Sequence, residues 1–281
     1  MSKRDEILSK LDVIPSLPSV VMEIYRQVQN PDVDFGKLSE MINYEPGLAA
    51  NVLKLANSAY FGFRKQVDDV RIAVARLGTK RIAELVMTVA LSPMMERGVK
   101  GYDLPPGKLW EHSVTTAVGA EKLAEVLEVP RPDYTFTAGI LHDVGKIVLG
   151  NFVGVDVEEI VNYAYEKQVP FNVAERELLG IDHAEAGGLL LRNWGIPEHL
   201  VEVVMGHHEP EKYNGDNVVL SLVHIADTIS LISGFGIGLD GLFYKPNSDV
   251  LKKYRLTSRM VERVASYMVE KLEELKKVMF S

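Results

Sequence analysis

The sequence predicts an all-α protein made of two helical subdomains. Apolar residues recur with a period near 3.6 along most of the chain, and no stretch alternates apolar with polar for more than a few residues. Proline- and glycine-rich breaks separate the periodic stretches. The 281 residues, 47% apolar and 25% charged, exceed the roughly 150 of an average domain and suffice for a sizeable core.

Each element follows from local chemistry. A first helix is expected at about 3–12, ended by Ile14-Pro-Ser-Leu-Pro18, because two prolines within four residues cannot continue a helix. Ser16 or Ser19 caps the next, whose stripe of Val20, Ile24 and Val28 stops at Asn30-Pro31. Helices follow at about 35–43, 46–57, 69–77 and 79–96, with Gly78 closing one and Thr79 capping the next. The run from Arg97 to Gly107, with three glycines, two prolines and little to bury, reads as the boundary between a subdomain at 1–105 and another at 106–281. Beyond it helices are expected at about 108–128, 133–150, 156–168, 173–179, 183–194, 197–208, 217–233 and 257–279. In the last, Met260, Val264, Tyr267, Met268 and Leu272 form a stripe expected to pack back on the body.

Composition narrows the chemistry. No apolar run approaches the ~20 residues that span a bilayer, and the charged opening Met1-Ser-Lys-Arg-Asp-Glu6 leads into no apolar segment. A cytoplasmic protein with no membrane association is therefore expected. The absence of cysteine removes disulfides, thiolate metal sites and thiol nucleophiles, so any metal must rest on His, Asp and Glu. Net charge is −8, and the acidic excess lies wholly in the second half: residues 1–105 carry 14 basic and 13 acidic side chains, residues 106–281 carry 17 and 26. That balance argues against a phosphate-backbone binder. The basic run Arg64, Lys65, Arg71, Arg76, Lys80 and Arg81 lacks interleaved aromatics and reads as a solvated helix face.

All seven histidines lie between residues 112 and 224. His142 and Asp143 sit inside the apolar stretch from Phe136 to Leu149, where an unpartnered carboxylate costs several kcal/mol. His112 shares a helix face with Leu109, Thr116, Ala120 and Leu123. His207 follows Leu200, Val203 and Val204 at helical spacing, with His208 four residues after Val204. Asp227 lies among Leu220, Val223 and Leu231. His183 falls in a first helical turn, after Asp182 and before Glu185 in a capping-box pattern. Each alone reads as a satisfied core residue. Together, inward and within one subdomain, they offset one another's burial cost most simply by sharing divalent transition-metal ions. Imidazole with carboxylate suits Fe, Mn, Zn or Ni, and a carboxylate can bridge two ions. His199 looks exposed, His224 is placed to orient Asp227 from three residues away, and Trp110 and Trp194 read as core.

His112, the run Ile140-Leu-His-Asp-Val-Gly-Lys-Ile147, His183, Met205-Gly-His-His-Glu-Pro210 and Ile225-Ala-Asp-Thr228 together resemble the HD superfamily of metal-dependent phosphohydrolases, especially its HD-GYP branch. The first half is similar to the HDOD family, the HD-related output domain of bacterial signalling proteins. Ile14-Pro-Ser-Leu-Pro18, Tyr44-Glu-Pro-Gly-Leu48, Leu53-Lys-Leu-Ala-Asn-Ser-Ala-Tyr60 and Ala73-Val-Ala-Arg-Leu-Gly78 carry that likeness, which covers roughly residues 10–235. The resemblance implies an HD-like bundle in the second half. It implies one metal on His112, His142, Asp143 and Asp227, with Asp143 bridging to a second on His183, His207 and His208, and Lys146 aiding phosphate binding or charge stabilisation. The function expected from it is a bacterial signal-transduction module that carries the metal site and acts through protein partners; the alternative is a metal-dependent phosphohydrolase on a phosphoester or nucleotide such as a cyclic dinucleotide. The Gly-Tyr-Pro element of the cyclic-dinucleotide phosphodiesterases is absent after Glu209.

Overall fold

Helices make up the regular structure of the described residues, apart from one isolated bridge between Val99 and Leu104. The computed structural model describes the chain except residues 1, 12, 31, 62–65, 153–156, 214–216, 237, 239, 241–243, 245 and 281, and the side chains of 151 and 152. The chain divides into two units, residues 1–15 with 94–268 and residues 16–93 with 269–281.

Helix α1 (Lys3–Leu11) belongs to the larger unit; the smaller holds α2 (Ser19–Val28), α3 (Phe35–Asn43), α4 (Pro46–Ala56) and most of α5 (Val70–Met95). Pro18 occupies the cap of α2 without a side-chain bond, so Ser19 opens the helix rather than capping it. The Asp34 carboxylate caps α3 by accepting from the amides of Gly36 and Lys37, and Pro46 starts α4 where a missing N–H costs nothing. Gly78, with φ of 79°, breaks the regular dihedrals inside α5 where the sequence expects one helix to end and another to begin. Asn57, just past α4, donates to the carbonyls of Leu53 and Val67 and accepts from the Val67 amide, fixing the return of the chain. Arg64 and Lys65 of the basic run lie outside the described residues; Arg71, Arg76 and Lys80 are exposed.

The larger unit is built on α6 (Lys108–Val126), α7 (Thr135–Leu141), the short α8 (Gly145–Ile147) running into a π turn at Val148–Phe152, α9 (Val157–Lys167), α10 (Phe171–Leu179), α11 (His183–Asn193), α12 (Glu198–Gly206), α13 (Val218–Ile232), α14 (Ser248–Lys253) and the first half of α15 (Ser258–Met279). Helix α6 packs along α13 and α7. Small residues allow the approach: a Cβ on Gly139 would lie 2.4 Å from the Ala117 Cα. Hydroxyls stitch the contact, Ser230 donating to Thr115 at 2.8 Å. Trp110 and Trp194 are core, and α15 buries Val264, Met268, Leu272 and Leu275.

Two expectations are corrected, and one helix lies where the spacing predicts none. The helix expected at 133–150 is interrupted. After Leu141 the amides of Val144, Lys146 and Ile147 bond three residues back rather than four, and the Gly139 carbonyl accepts the His142 Nδ1–H. The stretch 97–107 buries Val99, Tyr102 and Leu104 completely or nearly so, and α14 had no legible apolar stripe.

Candidate metal centre

Seven side chains proposed from the sequence converge in the core of the larger unit: His112, His142, Asp143, His183, His207, His208 and Asp227. His112 projects from the second turn of α6 and Asp227 from the second half of α13, so the packing of those two helices sets their separation. The His112 Nε2 lies 3.0 Å from the Asp227 Oδ1. His142 and His207 stand at the C-terminal ends of α7 and α12. Each donates its Nδ1–H to the carbonyl three residues back, Gly139 at 2.8 Å and Val204 at 2.6 Å, using a carbonyl that a finished helix leaves free. His183 begins α11, and its Nδ1 donates to the Glu175 carboxylate of α10 at 2.6 Å. The Nδ1 of His112 donates to the Phe235 carbonyl at 3.1 Å.

These four anchors share one consequence: with Nδ1 committed as a donor, the Nε2 of each ring faces inward, and its lone pair is free whenever the ring is neutral. The Nε2 atoms of His112 and His142 meet at 3.2 Å. The His207 Nε2 is fully buried with no hydrogen-bond partner. Asp143 stands between two groups. Its Oδ2 is 3.4 Å from the Nε2 of both His112 and His142, and its Oδ1 is 3.4 Å from the His183 Nε2 and 3.7 Å from the His207 Nε2. One ligand atom each from His112, His142 and Asp227 lies within 4.8 Å of the others, as does one each from Asp143, His183, His207 and His208.

The surroundings hold negative charge that asks for cations. Burial disfavours the charged form of His142, yet Asp143 and Asp227 outweigh it and raise its pKa. His183 is likewise penalised by burial but lifted to about 9 by Glu175 and Asp143. Burial opposes the ionised forms of Asp143 and Asp227 too, but Lys146 and His142 hold the first well below the usual carboxylate range, and His112 and His142 hold the second down. His207 and His208, pushed down by burial, remain neutral imidazoles. Facing ring nitrogens, an orphaned buried nitrogen and an ionised carboxylate between them fit divalent cations bound by nitrogen and oxygen, the donor set of Fe, Mn, Ni or Zn.

Lys146 is brought to the same place but not into the cleft: its ammonium lies between Asp143 at 2.7 Å and Asp240 at 2.6 Å. Sequence reasoning missed Glu175, Tyr102, Asp240 and Tyr244. Glu175 lay on the apolar stripe of Phe171, Ala174 and Leu179, the same signal that exposed Asp227. Asp240 and Tyr244 fall in a stretch with no period. His224 orients the His207–His208 turn rather than Asp227, donating from Nδ1 to the His207 carbonyl at 2.7 Å and accepting the Asn247 amide at 2.9 Å. His199 is half-buried, its ring against Tyr134. Of the expected capping box only one half forms: Asp182 accepts the Glu185 amide, while the Glu185 carboxylate pairs with Arg4.

A cleft of about 180 Å³ reaches the centre at His208 and Asp227, walled by Asn172, Glu209, Glu211, Thr228, Tyr244 and Asn247. The Tyr244 ring stacks on His208, centroids 4.0 Å apart and planes within 7°. No helix among the described residues is long and apolar enough to cross a membrane.

Relatives agree with this architecture. An uncharacterised protein of Treponema pallidum (strain Nichols) is 29% identical over 234 residues, 81% of this chain and 44% of the relative, so the chain spans under half of that protein. The fold matches that of an HDOD domain protein of unknown function from Geobacter sulfurreducens, with a TM-score of 0.81 over 99% of this chain and 98% of the other at 24% identity. It also matches a candidate phosphohydrolase from Shewanella amazonensis SB2B, with a TM-score of 0.74 over 98% of both chains at 26% identity. The HDOD domain profile itself matches residues 14–210. The chain belongs to the HDOD domain family.

Proposed function

We propose that this chain is an HDOD signalling module whose buried centre binds two divalent cations and hydrolyses a phosphoester admitted through the cleft. The observation that carries the reading is the position of Asp143, one oxygen toward the His112 and His142 nitrogens and the other toward those of His183 and His207. His112, His142 and Asp227 would hold one ion, and His183, His207 and His208 the other, with Asp143 common to both. Bound there, the cations supply Lewis acidity toward phosphoryl oxygens and acidify water. The protein's own side chains do the rest. The Nδ1 anchors hold the imidazoles in one tautomer. Lys146 offsets charge at Asp143, and Asp240 holds Lys146 in place. Burial keeps the Tyr244 hydroxyl protonated far beyond neutral pH, so that with Asn172 and Asn247 it offers neutral hydrogen bonds to a ligand in the cleft. The likeness to the candidate phosphohydrolase supports the same chemistry.

A second reading, a module that binds metal and a protein partner without turnover, is favoured by one observation: among the described residues the cleft wall carries Glu209 and Glu211 and no lysine or arginine to receive a phosphate. The experiment that separates them is turnover of a phosphoester panel, including cyclic di-GMP and nucleoside monophosphates, with Mn²⁺ or Fe²⁺ supplied. Hydrolysis should appear, cease with chelator and return with metal; a protein that binds both ions and turns over nothing supports the module alone. Chelation should also lower the thermal midpoint, since metal held at a hundred times its dissociation constant adds about 2.7 kcal/mol to the folded state. A midpoint unmoved by chelator and by added Mn²⁺ would speak against the centre.

A further inference from the structure

Three of the four anchored imidazoles rest on backbone carbonyls; His183 alone rests on a carboxylate. Glu175 is fully buried, and its charge is met from two sides. Its Oε2 accepts both the Nδ1–H and the backbone amide of His183, at 2.6 and 3.1 Å, while its Oε1 accepts the Tyr102 hydroxyl. Tyr102 is itself fully buried, delivered by the turn at Lys100–Tyr102, and its ring meets the His183 ring edge to face at 6.2 Å. The chain Tyr102–Glu175–His183 thus runs from a loop through α10 to the first residue of α11, and fixes both the backbone and the ring of one prospective ligand. A carboxylate behind an imidazole makes its free nitrogen a stronger donor than a carbonyl does, and such partners are worth 10–100-fold in metal affinity. The group containing His183 also offers three imidazoles to the other group's two.

Resting on the metal reading above, we propose that Glu175, held by Tyr102, is a positioning residue that makes the His183–His207–His208 half of the centre the tighter of two unequal cation sites. Asp143 serves both halves, so the two sites differ in what stands behind their histidines rather than in the carboxylate they share.

The test titrates metal-free protein with Co²⁺, reading heat and the visible absorption of the bound ion. Wild-type protein should show two classes of site. Glu175→Gln should weaken the tighter class about 10–100-fold and leave the weaker unchanged. Tyr102→Phe, which keeps the Glu175 charge and removes one donor, should weaken the same class by a smaller factor. The nitrogen chemical shifts of His183 supply a readout that altered stability would not mimic. Its ring should be protonated at Nδ1 in cobalt-free wild type at high pH and tautomerically mixed in Glu175→Gln. Should that variant not fold, Tyr102→Phe and the His183 shifts carry the test. Two classes in wild type with neither, both equally, or only the weaker affected by the variants would overturn this inference and leave the metal centre standing. Wild-type protein that takes up no Co²⁺ would overturn both.

Discussion

Asp143→Asn protein should purify with almost none of the transition metal that wild-type protein carries, and should hydrolyse any phosphoester substrate at least about a thousandfold more slowly, a loss of about 4 kcal/mol of transition-state stabilisation. The substitution is isosteric, so the packing around residue 143 is kept and the charge alone is removed. Both prospective sites should empty together, because Asp143 turns one oxygen toward His112 and His142 and the other toward His183 and His207. His112→Ala, by contrast, touches one group and should cost one ion. Removing the carboxylate also takes one of two partners from the buried Lys146. Breaking a buried pair costs about 3–5 kcal/mol, but Asp240 remains at 2.6 Å, and the loss should fall below that range. Elemental analysis of the paired proteins, with denaturant melts beside it, reads both effects. Equal metal in Asp143→Asn and wild type would remove the basis for a shared bridging carboxylate.

Why so much of this site was legible in the sequence is a matter of periodicity. His112 and Asp227 stand within helices on apolar stripes, and a polar side chain on a buried stripe must find polar company, so helical spacing alone places both inward. His207 and His208 were reached by the same rule for a different reason. Adjacent residues in a helix diverge by about 100°, yet these rings lie 3.9 Å apart because both fall in the turn beyond α12. Spacing carries no information about that turn, or about the tightening after Leu141 that aims His142 and Asp143. In both turns a ring claims a backbone carbonyl, a choice settled by tertiary context. Asp240 and Tyr244 lie where the chain has no period. Tyr102 is delivered by a segment whose glycines and prolines read as linker, though its aromatic and aliphatic side chains needed a core.

Gly145→Ala is expected to cost about 3 kcal/mol or more and to disrupt metal binding along with the fold, although alanine is the better helix former. A Cβ at residue 145 would lie 1.8 Å from the His183 carbonyl oxygen and 2.6 Å from the Gly187 amide nitrogen, backbone atoms that no rotamer change can move aside. The backbones of α8 and α11 touch at this point, so relief requires one helix to shift. Moving α11 carries His183 away from Asp143 and strains its bond to Glu175; moving α8 displaces Asp143 and Lys146. Either way the structural penalty and the loss of the site are one event. Gly47→Ala gives the comparison. Nothing lies within 4 Å of its prospective Cβ, its φ is not positive and it sits in the exposed first turn of α4. There the same substitution should stabilise by up to about 1 kcal/mol through reduced backbone freedom in the unfolded chain. Denaturant midpoints and Co²⁺ uptake measured on the two variants should move in opposite directions for stability and only in Gly145→Ala for metal. A Gly145→Ala protein with wild-type stability and full cobalt binding would mean that α8 and α11 do not approach as closely as the shared placement of His183 and Asp143 requires.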